Sequence, residues 1–463
     1  MPNVVMVKDW FSLPKKHEAQ FNTPRSGAVK LDIAIAGAVG PWDVAQGQRW
    51  VQLTKEFVEM GHRVLCFEPG RVSQVSDQIS ENVRLANILP RHWIFYDMED
   101  RTEMTSNPNI VTMGGAFFYR IGNTWFGRFV LHAMQKILPA SIYLKLVSRA
   151  LSGSVPLRND LPIIREHMAA ALDAFCRPGS VRLVLFESPM HCYVECLDLF
   201  RERNFAVVYE LIDRWELMWA GEKVRRLADE RKLVSEADLV TAVTKSLKEE
   251  LMTLYPWRKH ILYLPNAVRR DIFDIQHFSG ESLHTPGEVT VGFFGRIAEY
   301  VDVEALEFLV DQKPNWSFVI IGEYLRTPSF PEAAWKRIAH KANVFLLGPK
   351  KQNDLIRYLA TWDVCVIPFI KSFRNATPVK LYEYLSAYKP VVIFESDEMR
   401  GFPFVYHARN KEEFLAKIEE ARKVPVDRII VDRFLEENTW RNRATSILGA
   451  TSRLQEDFAR RAN

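Results

Sequence analysis

A chain of 463 residues is long enough for two or more domains with substantial cores, and 48% hydrophobic with 25% charged content is the make-up of an ordinary globular protein. The net charge of +4, from 61 Lys and Arg against 57 Asp and Glu, is too mild to argue for nucleic acid. Neither a signal peptide nor an apolar run near the roughly 18 residues of a membrane span is evident, and five scattered cysteines argue against a disulfide framework, so a reducing cytoplasmic location is expected.

The first 30 residues lack periodicity and read as a loosely attached arm. From residue 31, short strand-like runs alternate with helical stretches, the pattern of a parallel α/β sheet. "LDIAIAG" (31–37) leads into a glycine-bearing loop, "AVGPWDVAQGQ", and a helix through Met60. "HRVLCFEP" (62–69), "VRLVLFES" (181–188), "FAVVYELI" (205–212), "LVTAVT" (239–244) and "ILYLPN" (261–266) continue the set. A polar stretch, "FDIQHFSGESLHTPGE", then separates this half from fresh αβ units. Their strands are "VTVGFFG" (289–295), "SFVIIG" (317–322), "NVFLLG" (343–348), "DVCVIPF" (363–369) and "PVVIFE" (390–395). The spacing predicts two Rossmann-like doubly wound domains joined near residue 270, with ligands beyond the carboxyl ends of the strands.

The segment "NATPVKLYEYLSAYKPVV" (375–392) sits on that edge. Thr377 and Pro378 are expected to start a helix, the threonine as cap and the proline at the first helical position. Lys380 and Glu383, three apart, share a face of its first turns. A helix N-terminus favours phosphate, Lys380 adds a full cation, and Glu383 is placed to accept two hydrogen bonds from vicinal hydroxyls such as those of a ribose. Arg296, directly after the glycine-ended run "GFFG", is a second candidate for a diphosphate. The competing reading is a solvated Lys–Glu surface pair beside a solvated arginine.

These blocks, with "NTWRNRA" near residue 440, resemble the donor-binding half of GT-B glycosyltransferases, closest to family 4. "LPNAV" resembles the opening of that half. "VVYELIDRWELMWAGEKVRRLADERKLVSEADLVTAVTKSLKEEL" resembles the end of the acceptor-binding half in bacterial polysaccharide transferases. The likeness covers most of residues 31–450, with a poor match between about 70 and 180. It implies an N-terminal arm at 1–30, an acceptor-binding Rossmann-like domain at 31–268 and a nucleotide-sugar-binding one at 269–438, facing each other across a cleft. A C-terminal helix at 439–463 is implied to cross back to the first domain.

By the same resemblance Glu383 holds the nucleotide ribose, while Arg296 and Lys380 bind the diphosphate. Gly40 belongs to a glycine loop closing over the phosphates from the other domain, with Trp42 and Asp43 on the acceptor side. Gly295 and Thr377 line the donor site, and the backbone around Gly348 borders the nucleobase. Two positions depart from the family. A glutamate that touches the donor sugar is replaced by Asn375, and a lysine after the phosphate arginine by Val301, so that Lys380 carries more of the phosphate charge.

Asp213, in "LIDRWELMW" with Trp215 and Trp219 nearby, is a candidate general base toward an acceptor hydroxyl; the alternatives are a helix cap or a pair with Arg214. His191, in "ESPMHCYV", either orients acceptor or leaving group or is a satisfied structural histidine. "HCYVEC" (191–196) and "DMED" (97–100) only weakly suggest metal, and GT-B transferases generally need none, so no cofactor beyond a nucleotide-sugar co-substrate, expected to be UDP-linked, is implied. Met104 through Asn159 contains no Asp or Glu and carries Arg120, Arg128, Lys136, Lys145, Arg149 and Arg158. Arg128, Lys136 and Arg149 there suit an anionic membrane surface, although the amphipathic stretch around them equally suits the core.

The function expected is retaining transfer of a sugar from a UDP-linked donor to a glycan or lipid-linked acceptor in cell-surface polysaccharide synthesis, at the inner face of the membrane. The alternatives are a sugar-nucleotide epimerase or hydrolase on the same fold, or a catalytically silent binding protein.

Overall fold

The runs richest in β-branched and aliphatic residues become the central strands of two parallel sheets, where both faces are covered and alternation is lost. The computed structural model describes residues 30–36, 49–68, 77–80, 83–87, 157–215, 223–258, 261–276, 278, 283, 285–325, 329–371, 377–394, 396 and 398–462. The first sheet is formed by β1 (Leu31–Ala36), β2 (Arg63–Glu68), β3 (Asp77–Ser80), β4 (Val83–Asn87), β5 (Val181–Phe186), β6 (Phe205–Leu211), β7 (Leu239–Ala242) and β8 (Ile261–Tyr263). Their order across the sheet is β3-β4-β2-β1-β5-β6-β7-β8, all parallel except β3 against β4.

The second sheet holds β9 (Thr290–Phe294), β10 (Ser317–Ile321), β11 (Val344–Leu346), β12 (Val364–Pro368), β13 (Val391–Phe394) and β14 (Val405–Ala408). Its order, β11-β10-β9-β12-β13-β14, is wholly parallel and is the doubly wound dinucleotide-fold order read as 3-2-1-4-5-6. Each expected strand is present, trimmed by up to three residues at its end. Strands β3, β4 and β14 were not expected.

Four helices matter most for the site: α1 (Arg49–Glu59), α2 (Lys223–Glu236), α3 (Lys245–Leu254) and α4 (Val379–Ser386). A fifth, α5 (Trp440–Ala462), packs on α1 and β6, so the C-terminal helix crosses back to the first sheet as expected. Its Trp440, Ala444 and Ile447 join Ile33, Ile35, Trp50, Phe57 and Val208 in one buried core. The two passages of chain between the sheets run side by side: Val268 N donates to Asn438 O at 3.1 Å, and Val268 pairs with Thr439 in an isolated parallel bridge. No helix among the described residues is long and apolar enough to cross a membrane.

Candidate functional site

In a doubly wound sheet, the strand order reverses at one point, and the loops leaving there part to open a crevice. In the second sheet the reversal falls between β9 and β12. Gly295 and Arg296 leave β9 at that point, and the chain returning from β12 enters α4. In the first sheet it falls between β1 and β5, and the turn carrying Glu187 to His191 leaves β5 at that point.

Around the second reversal, Lys380 comes back from the first turn of α4 to lie against Gly295. A Cβ built on Gly295 would stand 2.3 Å from Lys380 Nζ and push the ammonium aside, and the backbone there has φ +132°, which favours glycine. The ammonium lies 4.4 Å from the centre of the Phe293 ring, with Arg296 and Glu383 as its charged neighbours. Among the described residues it makes no hydrogen bond or salt bridge. Burial lowers its pKa to about 8, with Glu383 opposing and Arg296 assisting the shift. Glu383 is 7% exposed, and burial raises its pKa to about 7, against the pull of Gln352 and Lys380. The solvated-pair reading fails at Glu383, which is buried, whereas Lys380 is half-buried and Arg296 is exposed as that reading has it.

Two details differ from expectation, and a third agrees with it. Thr377 does not cap α4: Pro378 holds the cap position in an extended conformation, and no side chain caps the helix. Pro378 itself is extended rather than helical, at φ −70° and ψ 144°, which leaves the threonine one position further out. Thr377 Oγ1 is instead buried with no partner among the described residues. Glu383 does not keep both oxygens open, because Gln352 Nε2 donates to Oε1 at 2.8 Å. Val301 is 1% exposed in the second core, so that position brings no charge to the site. Gly348, at φ +66° after β11, accepts from Gly322 N at 3.1 Å through its carbonyl and leaves open space beyond its Cα.

On the first sheet, Asp213 follows β6 and does not pair with Arg214, whose guanidinium reaches Glu250 of α3 at 2.8 Å. Burial raises the Asp213 pKa to about 6. The Tyr300 phenol of the second sheet's side is pushed up to about 12, by burial first, with Arg296 opposing and Asp213 adding to the shift. Since Tyr300 OH also donates to Arg296 O at 3.3 Å, Asp213, Tyr300 and Arg296 share one neighbourhood between the sheets.

His191 behaves differently. Its Nδ1 lies 3.0 and 3.1 Å from the two carboxylate oxygens of Asp229 on α2, the arrangement of a satisfied histidine. Asp229 and Glu195 bring ligand atoms within 4.8 Å of His191 and of each other, but Lys232 Nζ already neutralises Glu195 at 3.4 Å. Cys192 and Cys196 are buried in the first core, with burial pushing the Cys192 thiol up to about 12. Trp215 is buried. Gly40, Trp42, Asp43, Trp219, Asn375, the acidic run 97–100 and the basic residues Arg128, Lys136 and Arg149 lie outside the described residues.

Sequence reasoning missed a buried charge cluster beside this edge. Arg49, at the start of α1, donates through Nη2 to Glu210 Oε1 at 2.7 Å and through Nη1 to Pro265 O at 3.1 Å. A carboxylate inside the apolar run "FAVVYEL" is the signal that could have found it. Gln352 carried no such signal, since its partner lies 31 residues away.

Residues 288–423 match the family model described as "Glycosyl transferases group 1", so the second sheet is a glycosyl transferases group 1 domain. One curated relative, "Putative teichuronic acid biosynthesis glycosyltransferase TuaH" of Bacillus subtilis (strain 168), is 25% identical over 216 residues. The match takes in 43% of this chain and 53% of the relative, so the chain spans about half the length of the curated relative it matches. Sucrose-phosphate synthase from Thermosynechococcus elongatus superposes with a TM-score of 0.58 at 12% identity, over 93% of this chain and 99% of that one. An alpha,alpha-trehalose-phosphate synthase (UDP-forming) from Burkholderia vietnamiensis gives 0.59 at 12% identity, over 92% and 97%. Anabaena HepE in complex with UDP and glucose gives 0.58 at 10% identity, over 91% and 99%. At these identities the likeness establishes the two-domain GT-B fold.

Proposed function

We propose that this chain is a glycosyltransferase that moves a sugar from a UDP-linked donor to a glycan or lipid-linked acceptor in cell-surface polysaccharide synthesis, with retention of anomeric configuration. The observation that carries the reading is the grouping of Lys380, Glu383 and Arg296 around Gly295 at the strand-order reversal of a glycosyl transferases group 1 domain. The nucleotide and the pathway are suggested by relatives: one is UDP-forming, one is in complex with UDP, and one is named for teichuronic acid biosynthesis.

In this reading the diphosphate lies against Lys380, Arg296 and the N-terminal turn of α4. Two cations and the helix terminus meet the negative charge that grows on the leaving group, the electrostatic help that matters most in such transfers. The free oxygen of Glu383 accepts from a ribose hydroxyl, with Gln352 holding the other oxygen and so fixing the carboxylate plane. Asp213, with a pKa near 6, is ionised at neutral pH and more basic than an ordinary carboxylate, so it takes the acceptor's proton as the acceptor oxygen bonds to C1 on the face from which UDP departs with its C1–O bond broken. His191, held by Asp229, serves this reading as a structural histidine rather than as a group on the acceptor. No resident metal is assigned. The domain limits near 268 and 439, a cytoplasmic membrane-face location and contact of the basic segment with anionic lipid belong to the same proposal.

The test is a panel of nucleotide sugars, with nucleotide release followed with and without lipid-linked and glycan acceptors. Acceptor-dependent release of UDP is the expected result. Release or isomerisation without acceptor would mark a hydrolase or epimerase, and binding without turnover a silent protein.

A further inference from the structure

The buried cluster at the first sheet reaches the start of α4 through the side chain of Asn266. Asn266, just before the first passage between the sheets, donates from Nδ2 to the carbonyl of Thr377 at 2.8 Å. Its Oδ1 accepts from Arg49 Nη1 at 3.5 Å. A guanidinium only donates and a carbonyl only accepts, so one orientation of the amide satisfies both neighbours and the flipped one satisfies neither. Arg49 is itself fixed by Glu210, at 2.7 Å from Nη2 and 3.3 Å from Nε. Thr241 of β7 donates to the same carboxylate at 3.4 Å, and the Trp440 ring of α5 lies 5.7 Å from the Arg49 guanidinium carbon. A second arginine, Arg443 of α5, donates to Pro265 O at 2.8 Å and to Asn266 O at 3.4 Å. The segment Pro265–Asn266 is therefore held from both sides.

The far end of this chain of contacts is the turn that carries the donor residues. Thr377 precedes Pro378, the uncapped start of α4, and Val379 packs against the first-sheet core. With no side chain capping the helix, the Asn266 bond ties down the residue just ahead of its cap. We propose that Asn266, oriented by Arg49, is a positioning residue that holds the Thr377 carbonyl and thereby sets Lys380 and Glu383 for the nucleoside diphosphate. The inference rests on the donor reading above and adds to it a control exerted from the other sheet.

The neighbouring Glu187 fits this arrangement. It is fully buried beside Glu210, and its Oε1 has no partner among the described residues. Burial and the charge of Glu210 drive its carboxyl strongly upward, against the pull of Arg49, while the arginine's hydrogen bonds go to Glu210. The arginine fork thus has its charge answered and its geometry fixed, and its remaining donor is directed at Asn266.

The experiment is calorimetric titration of the full chain with UDP, alongside thermal melting, for Asn266→Ala, Asn266→Asp and Arg49→Lys. Asn266 is half-buried, so the alanine variant is expected to fold with a melting temperature close to the native one. It should bind UDP about tenfold more weakly, the loss of one well-placed hydrogen bond. Asn266→Asp strengthens the pairing with Arg49 but turns an oxygen toward the Thr377 carbonyl, and should lose at least as much. Arg49→Lys keeps the cation without the fork and should fall between the native and alanine variants. A merely structural Asn266 predicts the reverse for aspartate: near-native affinity, with changes confined to the melting temperature. Native UDP binding that the alanine and aspartate variants retain undiminished overturns the assignment of Asn266 alone. Failure of the native chain to bind UDP overturns the donor reading and this inference with it.

Discussion

Two clusters of charge sit near the carboxyl edges of the two sheets, and they are finished differently. In the first, Arg49 and Glu210 are both almost wholly buried, and each answers the other at 2.7 Å. In the second, Lys380 and Arg296 make no side-chain hydrogen bond or salt bridge among the described residues, and Glu383 has a single amide for company. Sequence alone makes the two look alike, a Lys or Arg and a Glu near the ends of apolar strands. The packing separates them. A paired buried charge holds elements in register, whereas a cation desolvated without an acceptor is poised for an anion that arrives from outside.

The largest effect expected from breaking this contrast is on the finished side. Arg49→Met leaves Glu210 buried and uncompensated and should cost about 3–5 kcal/mol in denaturant unfolding. Adding Glu210→Leu should recover most of that loss, because an apolar pair of similar volume needs no solvation. Failure of the double variant to recover would mean that Arg49 contributes chiefly through Pro265 and Asn266.

On the unfinished side the same kind of change should leave the fold alone and strike binding. Lys380→Ala should weaken UDP by about 2–3 kcal/mol, the scale of a desolvated charge-assisted contact, while leaving uridine binding nearly unchanged. Equal losses for both ligands, read by calorimetry, would show general damage to the domain.

Glu383→Gln tests both sides of the contrast in one variant. UDP and uridine should each lose about 1–2 kcal/mol, because an amide accepts less strongly than a carboxylate. Stability should move the other way. The folded carboxyl holds its proton up to about pH 7, well above its ordinary value of 4.5, so the native chain loses stability as pH rises through that interval. The glutamine variant escapes the loss, gaining at most about 3 kcal/mol above pH 7 and nothing below the ordinary carboxylate range. Melting curves at pH 5 and pH 8 that run parallel for the two proteins would contradict the buried, proton-holding carboxyl.

The smallest effect belongs to Arg296→Ala. Its guanidinium is exposed and screened, so the loss of UDP affinity should stay under about 1 kcal/mol and shrink further in high salt.

Much of this was legible in the chain. Apolar runs, four of them ending in glycine, located most strands of both sheets, and "TPVKLYEYL" announced a helix with a cation and an anion on one face. What was not legible depends on contacts distant in sequence. Glu383 meets Gln352, and Asn266 meets Thr377 across 111 residues; neither pairing leaves a periodic trace. Strand β14, "VYHA", is half-buried at the sheet edge and short, and its tyrosine and histidine blur the apolar signal. The expected threonine cap failed because Pro378, whose fixed φ suits extended as well as helical backbone, is extended here and takes the cap position itself.

The most direct test of the central claim, that the unanswered charges around Gly295 form a nucleotide-sugar donor site, is the pH dependence of UDP and uridine binding to the native chain between pH 6 and 9. Lys380 loses its proton above about pH 8, and Glu383 gains one below about pH 7. The cation serves only the diphosphate, whereas the carboxylate serves the ribose of both ligands. UDP affinity should therefore peak between pH 7 and 8 and fall on both sides, while uridine affinity rises through pH 7 and then stays level. Absence of UDP binding, or the same alkaline fall for uridine, would contradict the assignment.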